Sequence, residues 1–177
     1  MRFTLRCVLI AGLTACLPLP AMAHVVLAEP KARSGSYYAG FFRVSHGCGT
    51  SDTVSVRISM PESLLSARPQ PKAGWTVQVE HAPLDTSRQG EGGAIITDRV
   101  AAITWTGRLP ADQFDQFGVM MKLPGSVGPL YFPTVQTCVS GENRWVDIPA
   151  SGQAWHDVEN PAPVIELTAP DDAHHHH

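Results

Sequence analysis

The sequence predicts one all-β domain, a Greek-key β-sandwich of the immunoglobulin or cupredoxin kind, following a cleaved signal peptide. Three observations carry this. Short runs rich in β-branched and aromatic residues recur along the chain, and many alternate with period two: Val54, Val56 and Ile58 face one way while Ser55, Arg57 and Ser59 face the other. Fifteen prolines and fifteen glycines punctuate these runs, which argues against long helices and parallel βαβ units. No stretch carries a convincing amphipathic helical repeat.

Arg2 and Arg6 begin the chain with positive charge, Cys7 to Leu19 follow as an apolar run broken by Pro18 and Pro20, and Ala21-Met22-Ala23 is a small-x-small cleavage site. Residues 1–23 therefore read as a signal peptide, too short and too abruptly ended to span a bilayer. Leu13-Thr14-Ala15-Cys16 also matches a lipoprotein box, and lipidation at Cys16 would place His24 inside a tether. The Leu-Pro-Leu-Pro that follows Cys16 is apolar rather than a polar linker, which favours cleavage before His24.

From there the predicted strands run Val25 to Ala28, Tyr37 to Val44, Val54 to Met60, Trp75 to Glu80, Ala94 to Thr97, Ala101 to Thr106, Gln116 to Lys122, Leu130 to Val139, Arg144 to Ile148 and Val164 to Thr168. Pro110 to Gln116 reads as a short helical turn with Asp112 as an early acid. Residues 24–170 form the domain, and about 150 residues suffice for one core of their own. Residues 171–177 form a flexible His-rich tail, whether native or the stub of an affinity tag, and His174 to His177 would be a weak metal binder.

The net charge is −3 and no Lys/Arg run occurs, so nothing points to nucleic acid or an anionic membrane surface. Of four cysteines, cleavage leaves Cys48 and Cys138, an even number whose default in an oxidising compartment is a disulfide. Such a bridge closes a loop of about ninety residues and contributes roughly 3–5 kcal/mol. A copper thiolate site made of the two cysteines is the alternative.

Cleavage after Ala23 makes His24 an amino-terminal histidine. Its α-amine (unperturbed pKa ~8) and imidazole (~6.5) both give up protons to a Lewis acid near neutral pH, and together they chelate one ion. Cu(II) gains most from a tetragonal, nitrogen-rich set. The competing reading is an exported protein that merely begins with histidine. His81 and His156 have no metal-like spacing and read as surface residues.

Further residues form a pattern along nearly the whole domain: His24-Val25-Val26-Leu27, Gly35-Ser36-Tyr37-Tyr38, Phe42-Arg43-Val44-Ser45-His46-Gly47-Cys48, Pro71-Lys72-Ala73-Gly74-Trp75, Ile103-Thr104-Trp105-Thr106-Gly107, Phe114-Asp115-Gln116-Phe117, Tyr131-Phe132-Pro133-Thr134-Val135-Gln136-Thr137-Cys138, Trp145-Val146-Asp147-Ile148-Pro149 and Pro161-Ala162-Pro163. This pattern resembles the YcnI-like copper-binding family. The resemblance implies an all-β extracytoplasmic fold that holds Cu(II) through the mature N-terminal histidine, with an acidic residue and a tryptophan close by. It also implies a metallochaperone or copper-acquisition factor rather than an enzyme, delivering to a copper transporter or a second periplasmic chaperone.

Carried over by position, His24 is the principal ligand and Trp145 the copper-proximal tryptophan. His46 falls where the family has its acidic residue and is the preferred second ligand. Glu29 is the alternative, but five residues of straight strand span ~17 Å, too far for both side chains to reach one ion. Two other functions compete. A copper-dependent monooxygenase also uses an N-terminal histidine plus a second histidine, but needs an axial Tyr or Phe. A protein-binding assembly or adhesion sandwich would make His24 incidental. No Ser/His/Asp set, P-loop or HExxH motif supports a hydrolase or nucleotide enzyme.

Overall fold

The structure, a computed structural model, describes residues 24–170; the proposed signal peptide with Cys16, and the His-rich tail, lie outside the described residues. In chain order the strands are β1 (Val26–Leu27), β2 (Lys31–Arg33), β3 (Tyr37–Val44), β4 (Thr53–Ser59), β5 (Ser66–Pro69), β6 (Thr76–Gln89), β7 (Ile95–Leu109), β8 (Asp115–Lys122), β9 (Gly128–Tyr131), β10 (Thr134–Cys138), β11 (Glu142–Trp145) and β12 (Val164–Thr168). The helical segments among the described residues are two three-residue 3-10 turns, Glu91–Gly93 and Trp155–Asp157. No helix among these residues is long and apolar enough to cross a membrane.

The strands form a four-stranded sheet in the order β1-β3-β8-β5, a five-stranded sheet β11-β10-β4-β7-β6 and a three-stranded sheet β2-β12-β9. Alternation decides which face is buried. In β3, Phe42 and Val44 are buried, and they lie in the same sheet as the buried Phe117, Val119 and Met121 of β8. In β4, Val56 and Ile58 are buried opposite Trp105 and Ile103 of β7, as the period-two pattern requires. Phe117 of the first sheet meets Trp105 of the second with ring centroids 5.5 Å apart, and Trp75 packs edge-on at 4.9 Å. The result is an all-β sandwich.

Several boundaries differ from the sequence expectation for physical reasons. The two runs around Ala94 to Thr106 are one strand, β7, because pairing with β6 carries the polar Asp98 and Arg99 through in extended form. Leu130 to Val139 is two strands. Pro133 has no N–H to give a ladder, and past it the chain leaves the β12 partner of β9 and pairs with β4 and β11. Pro110 to Gln116 is not helical: one bond, from the Gln113 N–H to the Pro110 carbonyl at 3.0 Å, closes a turn, and Asp115 then enters β8. The short strands β2 and β5 escaped prediction because their charged and proline residues mark them as loop.

Candidate metal centre

His24 lies just before β1, which pairs with β3 through Val26 opposite Arg43 and Leu27 opposite Phe42. Continuing that register two residues outward sets His24 opposite Ser45, where the turn holding His46 begins. Val25 is buried and anchors the segment, while His24 is half-buried. The imidazole sits against two indoles, with ring centroids 5.1 Å from Trp145 and 5.4 Å from Trp155, each tilted by 55°.

The two tryptophans are held differently. Trp145 ends β11 opposite Thr134 and is 8 % exposed; its indole N–H is buried with no hydrogen-bond partner among the described residues. A buried orphan donor is rare in a folded protein. Trp155 belongs to the second 3-10 turn, and its indole N–H donates to the Ala162 carbonyl at 2.7 Å. That bond fixes the loop between β11 and β12 against His24.

His46 is half-buried, and its Nδ1 lies 2.5 Å from the Gly47 carbonyl oxygen. In a neutral ring Nδ1–H is then the donor and Nε2 keeps its lone pair. Three devices hold this turn. The buried Gln136 amide donates from Nε2 to the His46 carbonyl and to Thr53 Oγ1, both at 2.7 Å, and its Oε1 accepts from Asn143 at 3.3 Å. Gly47 donates its N–H to the Ala111 carbonyl, and a Cβ there would come within 2.1 Å of the Ser51 carbonyl, so glycine is required. The Cys48–Cys138 disulfide, with Cα atoms 6.1 Å apart, ties the turn to the end of β10.

Asp52 backs this arrangement. Its carboxylate accepts from Arg108 Nε at 2.8 Å and from the Ala111 N–H at 2.9 Å, and these two bonds, Arg108 first, hold the carboxyl below its ordinary range. A depressed carboxyl contributes stability that is present above the ordinary carboxylate pKa and lost as pH falls from there through the lowered value of the folded protein. Asp52→Asn should therefore lower the unfolding midpoint at neutral pH, and the gap to the parent should narrow once acidification passes below the ordinary carboxylate range. Urea midpoints of both proteins across that range check it, and a constant gap would remove the linkage.

Glu29 is exposed beyond the far end of β1. Its main-chain carbonyl accepts the Tyr38 hydroxyl; burial first, then the Glu29 charge, push that phenol up to about 12. The structure thus places Glu29 with Tyr38 and brings His24 together with Trp145 and Trp155. Among the described residues no group of three or more His, Cys, Asp and Glu side chains converges as a metal cage. His81 pairs with Asp98 at 3.1 Å on the surface, and His156 is exposed. Tyr37 and Tyr38 begin β3 and Tyr131 ends β9, and among the described residues the rings packed against His24 are both indoles.

Sequence reasoning missed Trp155 and Gln136. Trp155 lies in a Pro/Gly-rich stretch, where an isolated large aromatic flanked by turn residues was the available signal. Gln136 alternates in phase with Thr134 and Cys138, both buried, so its period-two position marked it as facing inward.

Residues 24–167 match the family described as a domain of unknown function, DUF1775. The chain belongs to that family. It is the one the YcnI-like resemblance indicated, and its matched region begins at His24. A crystal structure from Nocardia farcinica, described as an uncharacterized protein with an immunoglobulin-like fold, is 27% identical, covers 83% of this chain and 99% of its own, and superposes with a TM-score of 0.61. This DUF1775 domain accordingly has an immunoglobulin-like fold. The seventh ScaB type I cohesin of Pseudobacteroides cellulosolvens is 11% identical over 87% of this chain and 97% of its own, with a TM-score of 0.38, too distant to inform function. No curated protein matches the chain.

Proposed function

We propose that this DUF1775 protein carries Cu(II) as cargo, held through His24 at the amino terminus of the exported chain, for sequestration or for delivery to a membrane transporter or second chaperone. The carrying observation is the setting of His24: it is the first residue of the family match, and its ring packs against both Trp145 and Trp155. The donor chemistry fits. The His24 imidazole and, after cleavage, its α-amine supply two nitrogens, and Nε2 of His46 is the candidate third. With no multi-carboxylate or thiolate cage among the described residues, the amine becomes the decisive ligand.

The indoles supply shielding rather than strong ligation, because an indole nitrogen has no available lone pair. Trp145 also offers a buried donor that an oxygen ligand on the bound ion would satisfy. A carrier is favoured over a monooxygenase because the flanking rings are indoles, where that enzyme reading asks for an axial Tyr or Phe. The Cys48–Cys138 disulfide fits an oxidising compartment, and the periplasm is the proposed location.

The test compares the chain starting at His24, without His174 to His177, with the same chain carrying one added residue before His24. The first should bind one Cu(II), and the added residue should weaken binding by more than about 100-fold, beyond what loss of a supporting contact does. Indistinguishable electron paramagnetic resonance spectra from the two would overturn the proposal.

A further inference from the structure

The hairpin of β6 and β7 extends beyond the sandwich, and its tip bends at the register shift between Pro83 and Arg88. Between this tip and the strands β5 and β8 lies a cavity of about 330 Å³. Leu65 and Met120 line it from the sheet side, Leu84 and Ile96 from the hairpin. Leu65 and Met120 are 42% and 47% exposed, unusual for apolar groups facing one concavity.

The charge around this apolar lining is one-sided. Arg68, Arg88, Arg99 and Lys122 line the cavity, against Asp98 as the acid with a described side chain. Asp98 faces His81 at 3.1 Å, and Arg99 is taken by the Glu62 carboxylate at 3.0 Å. Among the described residues Arg88 donates to a main-chain oxygen, that of Glu62, and Lys122 sits over the Tyr37 ring at 4.6 Å. Arg68, Arg88 and Lys122 thus have no carboxylate partner among the described residues, in a chain whose net charge is −3.

We propose that this cavity binds a medium-chain fatty carboxylate, its alkyl chain against Leu65, Leu84, Ile96 and Met120 and its head group against Arg68 and Lys122. Charge complementarity selects an anion, and the aliphatic and thioether walls select a flexible chain over a flat ring. The volume stands at the low end of small-ligand sites, which limits the chain to roughly ten carbons. Hairpin and sheet wall the site on two sides, which favours a free molecule over the flat surface of a bilayer. The proposal is independent of the copper reading.

The test uses the purified protein, freed of metal by chelation, in calorimetric titrations with hexanoate, octanoate and decanoate, and with decanol as the uncharged match. Saturable one-to-one binding of decanoate is expected. Affinity should rise by about fourfold per methylene, the factor given by ~0.8 kcal/mol per buried CH2. Decanol should bind at least ~10-fold more weakly, because it forfeits the charge-assisted bonds. Arg68→Gln should weaken decanoate and leave decanol unchanged, while Met120→Glu should weaken both. Both positions are exposed on strands, and thermal unfolding verifies that the variants fold. Absence of saturable decanoate binding, equal affinity for decanol, or binding indifferent to both substitutions would each overturn the proposal, as would binding only to anionic vesicles.

Discussion

Replacing both Cys48 and Cys138 with serine should lower the free energy of unfolding by roughly 3–5 kcal/mol, because the bridge closes a loop with a sequence separation of 90. A domain of this size has only about 5–15 kcal/mol in total, so the variant should stand near the edge of stability at physiological temperature. Most of the loss arises in the unfolded chain. The urea m-value should therefore rise as the unlinked chain exposes more surface.

The folded state retains other ties at the same place. Val139 donates its N–H to the Asp52 carbonyl at 2.9 Å, and the Ser140 N–H reaches Ser51 Oγ at 2.8 Å. These bonds should keep the native arrangement recognisable once folded, so near-ultraviolet circular dichroism at low temperature should change little while the urea midpoint falls. A stability loss under about 1 kcal/mol would mean that the unfolded chain already holds these segments together, contrary to the loop-closure argument.

The strands that were legible in the sequence are those whose two faces differ. Tyr37 to Val44 and Val164 to Thr168 were bounded to the residue, since each alternates and ends on turn residues. Val54 to Met60 was displaced by one residue at each end. What escaped was set by partners distant in sequence. Nothing local in Asp98-Arg99-Val100 announces a continuous strand; its extension comes from β6 across the hairpin. The disulfide followed from counting cysteines. At the candidate centre, His24 followed from the cleavage site and His46 and Trp145 from the family resemblance, whereas Trp155 reaches His24 only through the fold of the loop before β12. The role of Gln136 likewise depends on three segments meeting, the His46 turn, β4 and β11.

That meeting makes Gln136→Leu the most informative single substitution near the site. Leucine matches the buried volume but leaves the His46 carbonyl and the Thr53 hydroxyl without this donor and Asn143 without its acceptor. Leaving buried polar groups unpaired costs more than a hydrogen bond contributes, so the variant should lose about 2–4 kcal/mol. Asn143→Ala removes only the longest of the three bonds and should cost less, about 1 kcal/mol. Chemical denaturation of the two variants beside the parent gives this ordering directly. The second effect is functional and rests on the copper proposal. Freed from Gln136, the main chain at His46 loses the bond that aims its imidazole, and Cu(II) affinity should fall by roughly 10–100-fold, as for other groups that orient a ligand. Asn143→Ala should leave affinity near the parental value. If Gln136→Leu lowered stability but left the copper spectrum and affinity unchanged, the bond would be structural alone and His46 would not be a ligand.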